Sequence, residues 1–99
     1  MDEAVVREHA ETHGQAMVDG DLRRAASDLT PDAQAEAPAV MREIPRSLDA
    51  AEILSVEGTD GGACISRIRY SGEGKTVVVS ARWKEVGGRP MIVALALEG

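Results

Sequence analysis

Apolar residues recur every three to four positions through the first half of the chain and at every second position through the last half. The pattern therefore predicts helices first and strands afterwards. Val6, Ala10, His13 and Met17 fall on one helical stripe, and Gly20 stands where a left-handed residue would stop that helix. Asp21 can cap a second, short helix whose Leu22, Ala25, Ala26 and Leu29 make a narrow apolar face. Thr30-Pro31, a threonine cap followed by proline at the first helical position, starts a third helix. Ala33, Ala37, Met41 and Ile44 continue its stripe. Pro38, which has no N–H to give, is expected to kink this helix or split it, and Pro45 to end it just after Ile44.

From Ala51 onward four strands are predicted, roughly 51–58, 63–71, 75–86 and 91–98, separated by the glycine-bearing stretches TDGG, SGEG and VGGRP. Such short loops favour hairpins, and so a meander of antiparallel neighbours in chain order. One face reads directly from the alternation: Cys64, Ser66, Ile68 and Tyr70 on the second strand, Val77, Val79, Ala81 and Trp83 on the third, and Met91, Val93, Leu95 and Leu97 on the fourth. This face is expected to meet the helices. The opposite face holds Ile65, Arg67 and Arg69, then Val78, Ser80, Arg82 and Lys84, then Ile92, Ala94 and Ala96. The fourth strand is apolar on both faces, which a sheet with one side in water does not require. Either these are tolerated surface apolar residues, or a second subunit covers Ile65, Arg67, Val78, Arg82, Ile92 and Ala94 in a symmetric dimer whose basic residues meet acids of the partner's helical half. Helices followed by strands without repeat or linker predict one α+β domain over residues 1–99.

Composition narrows the possible functions. Residues 1–50 carry eleven acids and five bases and residues 51–99 six of each, so the net charge of −6 belongs to the helical half. That balance argues against nucleic acid and against an anionic membrane surface, both of which need cationic faces. The longest uncharged stretch is too short to span a bilayer, and the acidic N-terminus lacks the basic start and apolar run of a secretory signal; a soluble cytoplasmic protein is expected. A single cysteine, Cys64, can form no internal disulfide. Nine arginines against two lysines, with no asparagine, suggest a GC-rich bacterial genome.

The stretch AMVDGDLRRAASDLTPDA, residues 16–33, resembles the first-half pattern of the nuclear transport factor 2-like superfamily, also called cystatin-like α+β, and especially its small SnoaL-like bacterial members. AEILSVEG, CISRIRYSG and VVVSARWKEVGGRPMIVALAL are similar to the curved antiparallel sheet of that family, and the resemblance covers about residues 4–97. It implies a cone-shaped fold in which helices close a curved sheet, often a dimer through the outer sheet face, and a pocket that serves isomerases, cyclases, dehydratases and binding-only proteins. Fold alone does not choose among these. This chain is shorter than a typical member, so its pocket is expected to be small or filled by its own side chains. In catalytic relatives carboxylates or histidines project into the cone, whereas none of the inward strand positions read above is an acid or a histidine.

The remaining candidates for chemistry are few. His9 and His13 stand one helical turn apart, a spacing that lets two imidazoles face one metal ion. The H-E-x-x-H pattern is absent, however, because the glutamate follows His9 by two positions, and no third ligand is evident. A solvated His9 and a partly buried His13 are the expected state, with no cofactor. His13 shares the stripe of Val6, Ala10 and Met17 and is therefore the polar group best placed to reach the cone, where Tyr70 can face it. A small apolar ligand is expected to be bound by His13, Met17, Tyr70 and Trp83. A His13–Tyr70 pair can bind a carbonyl or act as an acid–base couple. GEGKT, residues 72–76, is not a phosphate loop: Arg69 occupies the required first glycine and a strand follows. Arg82-Trp83-Lys84 lacks the further aromatics of a nucleic-acid platform, and Cys64 has no base or helix N-terminus to activate it. The sequence thus points to a non-catalytic binding or dimerisation module with a small pocket, the alternative being an isomerase, cyclase or hydrolase that uses His13 and Tyr70.

Overall fold

Caps set the helical half. The structure, a computed structural model, describes residues 1–98. Helix α1 (Glu3–Asp19) begins where the Asp2 carboxylate accepts the Ala4 N–H at 2.8 Å. It ends at Gly20, which adopts φ 76°, while the N–H groups of Gly20 and Asp21 close on the carbonyls of Met17 and Ala16. Asp21 then caps α2 (Leu22–Ala26) through the Arg24 N–H, and Thr30 caps α3 (Pro31–Met41) through the Ala33 N–H. Pro38 does not split α3, which runs through it. One missing backbone bond is tolerated because Ala33 before the proline and Val40 after it are buried on the strand side of the helix. The helix stops at Met41, so Ile44 is buried from a turn beyond it, and Val40 takes the place in the core that the apolar stripe assigned to Met41.

Four antiparallel strands follow in the order β1 (Ala50–Gly58), β2 (Cys64–Gly72), β3 (Lys75–Val86), β4 (Arg89–Glu98). Helices followed by a four-stranded open antiparallel sheet make the α+β architecture that the hydrophobic pattern predicts. The last two hairpins turn on Glu73-Gly74 and Gly87-Gly88, all four residues at positive φ, the geometry of a two-residue turn whose twist matches the strands it joins. Gly72 is required for a different reason. A Cβ there would strike the carbonyl of Ser47 and the Cα of Leu48, where the segment entering β1 crosses the end of β2.

The inner face is the expected one on β2 and β3: Cys64, Ser66, Ile68, Tyr70, Val79, Ala81 and Trp83 are buried against Val6, Ala10 and Met17 of α1 and Leu29 beyond α2. On β4 the expected alternation fails. Arg82 pairs with Ala94 but Trp83 pairs with Ile92, so Val93 is an extra residue in a β-bulge. The phase of the strand reverses there. Leu95 and Leu97 lie opposite Ala81 and Val79 on the inner face, while Ile92, expected outside, is fully buried, and Met91, expected inside, lies opposite the exposed Lys84. The inward turn also brings the backbone of Ile92 to the α2–α3 junction: its N–H donates to the Asp28 carbonyl at 2.7 Å and its carbonyl accepts from Thr30 at 2.9 Å.

Ile65, Arg67, Val78, Arg82 and Ala94 do share the outer face, each half-buried. Arg67 is paired with Glu98 by two hydrogen bonds of 2.5 and 2.7 Å, and Arg69 with Glu52. Two of the bases expected to seek acids on a second subunit therefore find them on neighbouring positions of their own sheet. No helix among the described residues is long and apolar enough to cross a membrane.

Candidate functional site

The site is built around a carboxylate outside the predicted set. Asp28 follows α2 and is 1% exposed. Its Oδ2 accepts from Nδ1–H of His13 on α1 at 3.0 Å, and its Oδ1 accepts from Arg89 Nη2 at 2.6 Å and Arg24 Nη1 at 3.2 Å. Arg24 comes from α2 one turn earlier, and Arg89 opens β4 directly after the Gly87-Gly88 turn. Three elements therefore converge on one buried charge. Burial works against ionisation, but the hydrogen bonds from His13, Arg89 and Arg24 outweigh it and hold the carboxyl below the usual carboxylate range. An ionised carboxylate can only accept, so the proton between the two groups sits on His13 Nδ1.

His13 is 7% exposed, and its second nitrogen, Nε2, has no hydrogen-bond partner among the described residues. The ring stands at right angles to Trp83, centroids 6.3 Å apart, so the indole props its flank while Asp28 fixes its Nδ1 side. Trp83 is itself fixed, wholly buried and donating Nε1–H to Ser66 Oγ at 2.9 Å. Ser66 thereby gains the partner that its burial demands.

A cavity of about 190 Å³ opens between the helices and the sheet, walled by His13, Met17, Leu29, Val40, Tyr70 and Val79 among others. Among the described residues, His13 and Tyr70 supply the only side-chain nitrogen and oxygen atoms in its lining; the other described lining residues are Ala, Val, Leu, Ile or Met. The Tyr70 hydroxyl hydrogen-bonds no other described residue, and burial pushes its pKa well above the ordinary phenol value, so it remains a donor. Leu22 and Met41, 51% and 36% exposed, sit at the mouth. A second hollow of about 310 Å³, reaching Gly20, Arg46 and Leu48, shares Met17, Leu22, Met41 and Ile44 with the first.

Of the four residues expected to bind a ligand, His13, Met17 and Tyr70 line the cavity. Trp83 does not: its size and its bond to Ser66 place it in the core behind His13. The hydrogen-bonding partner of His13 is Asp28 and not Tyr70. His9 is half-buried with its ring 6.4 Å from that of Trp83, and no group of three potential metal ligands occurs among the described residues. Cys64 is buried beside the Met1 carbonyl. Asp28, Arg24 and Arg89 escaped the sequence reading because Asp28 lies 15 positions from His13 and 61 from Arg89. One signal was present: Asp28 follows the core residue Ala25 by three, on the same side of the helical turn. Comparison with protein-family models, curated proteins and solved structures finds no match to this chain.

Proposed function

We propose that this chain is a small bacterial, cytoplasmic protein of the nuclear transport factor 2-like type whose cavity takes up a small, largely apolar molecule, and that His13, held by Asp28, moves a proton on it. The observation that carries the reading is a histidine tied through Nδ1 to a buried carboxylate, at the wall of a cavity otherwise almost free of polar atoms. A binding-only pocket needs no such pair. An imidazole fixed in one tautomer, its other nitrogen unengaged, is the form a general base takes. Tyr70, a neutral donor in the same lining, can hydrogen-bond a carbonyl or hydroxyl oxygen while His13 Nε2 takes or returns a proton. Isomerisation, cyclisation or hydrolysis by proton transfer is the chemistry such a pair serves. The cavity suits one ring or a short branched chain, since an apolar cavity of about 150 Å³ admits benzene.

The half-buried apolar residues of the outer sheet face, with Arg82 and Lys84 forming no ion pair among the described residues, favour a homodimer through that face. This part of the reading is checked by native mass spectrometry of the untagged chain.

For the pocket, the chain is incubated with small cyclic ketones in heavy water, and proton NMR follows exchange of the C–H beside the carbonyl. Exchange that is faster than in buffer and lost in His13→Gln and Asp28→Asn supports the reading. Retained binding, seen as a raised melting temperature, with no exchange would reduce the protein to a binding module. Neither binding nor exchange across the set would remove the proposal.

A further inference from the structure

A buried carboxylate beside an imidazole ordinarily draws a second proton onto the ring, because the pair is then ionic on both sides. An imidazolium cannot act as a base. The geometry around Asp28 contains a device against this outcome. Its outer oxygen is taken by two guanidiniums, Arg89 at 2.6 Å and Arg24 at 3.2 Å, so the negative charge that His13 meets at Oδ2 is already balanced from the other side.

The two arginines are not equivalent. Arg24 reaches Asp28 along its own helical turn and shares Nη1 with Ser27 Oγ at 3.1 Å. Arg89 arrives from the far end of the chain, and its Nε donates to the Pro90 carbonyl at 3.3 Å, which aims Nη2 at Asp28. The short bond and the bracing single out Arg89. The other groups facing His13 are Asp28 from the α2–α3 junction, Trp83 from β3, Tyr70 across the cavity from β2, and His9 one turn earlier on α1 beside the same indole. None of these apart from Asp28 brings a fixed charge. Among the described residues, the only cations bonded to the pair are the two arginines.

We propose that Arg89 is a positioning residue of the site: by balancing Asp28 from its outer oxygen it keeps His13 a neutral imidazole, with the proton on Nδ1 and the lone pair of Nε2 turned to the cavity. The inference rests on the acid–base reading of the pocket for its purpose. The state it assigns is measurable without any ligand.

The measurement is long-range proton–nitrogen NMR of the nitrogen-15-labelled full chain, which separates the two neutral imidazole tautomers from the imidazolium. In the unmodified chain at neutral pH, His13 is expected with a protonated Nδ1 and a bare Nε2. In Arg89→Met the imidazolium fraction at the same pH should rise several-fold. Arg89→Lys, which restores a charge, should bring it back toward the starting value, and Arg24→Met should move it less than Arg89→Met. Arg89→Gln keeps a donor and removes only the charge, so it replaces the methionine variant if that chain fails to fold. The proposal is overturned if His13 in the unmodified chain carries its proton on Nε2 or is already imidazolium, or if removing the Arg89 charge from a folded chain leaves its spectrum unchanged. A pocket that takes up no molecule would leave these spectra as they are, so the two proposals fail separately.

Discussion

Asp28→Asn changes one oxygen to nitrogen in a side chain that is 1% exposed, and its cost can be worked from the surroundings. An amide offers one acceptor and one N–H₂ group where three donors now converge, so either the two arginines must face another donor or His13 must move its proton to Nε2 and accept from the amide. Removing one member of a buried charge set costs about 3–5 kcal/mol when the partners stay buried. Here the arginine side chains are 42% and 40% exposed and can turn to water, which lowers the expected loss to roughly 2–3 kcal/mol. For a domain of this size that loss lowers the melting temperature by on the order of 10–20 °C. Thermal melts followed by circular dichroism across a pH series are the assay. The carboxyl is held below its unfolded value of about 3.9, so its contribution is fully present above that pH and is lost as pH falls toward the folded value. The gap between the unmodified chain and Asp28→Asn should therefore be widest near neutrality and shrink below about pH 4. A variant within ~0.5 kcal/mol of the unmodified chain at neutral pH, or a gap that does not change with pH, would mean that the Asp28 charge does not hold this junction together.

Tyr70→Phe removes a hydroxyl that bonds no described protein group, so it should alter stability by roughly 1 kcal/mol or less while weakening uptake of a carbonyl ligand, as measured by calorimetry. Trp83→Phe leaves Ser66 Oγ without its donor and opens a void beside His13; urea denaturation should show a loss of about 2–4 kcal/mol, part of it recovered when Ser66→Ala is added. Gly72→Ala drives a methyl group into the backbone of Ser47 and Leu48, neither of which can rotate aside, and should cost at least about 1–3 kcal/mol in the same assay.

What could be read from the chain alone was whatever depends on neighbours in sequence. Gly20, Asp21 and the Thr30-Pro31 pair act within one turn of themselves, and the helix boundaries they mark are those observed. Gly74 and Gly87-Gly88 act within a hairpin, and the strand order follows from them. What could not be read depends on the rest of the fold. Of the two outcomes open to Pro38, a kink or a split of α3, the split does not occur, because burial on both sides of it outweighs one missing hydrogen bond. The alternation of β4 reads equally well in either phase because both faces are apolar, and only the pairing of Trp83 with Ile92 reveals the extra residue. The pocket residues His13, Met17 and Tyr70 were legible as members of apolar stripes. Asp28 was not, because an acid between Ser27 and Leu29 looks like solvated surface until Arg89 arrives from the other end of the chain.

The bulge in β4 has a bearing on how the molecule behaves in crowded solution. Outer strands of a sheet are templates on which foreign chains can polymerise, and folds survive by leaving no free row of backbone donors and acceptors there. Around Ile92 that row is occupied by the backbone of Asp28 and Thr30, and at Leu95 the N–H donates to the Glu36 carboxylate of α3. Part of that protection and the seating of the His13–Asp28 pair thus depend on the same three-residue junction. Damage that pulls Asp28 out of its place uncovers the strand edge in the same event, so loss of the site and clumping of the protein should arise together.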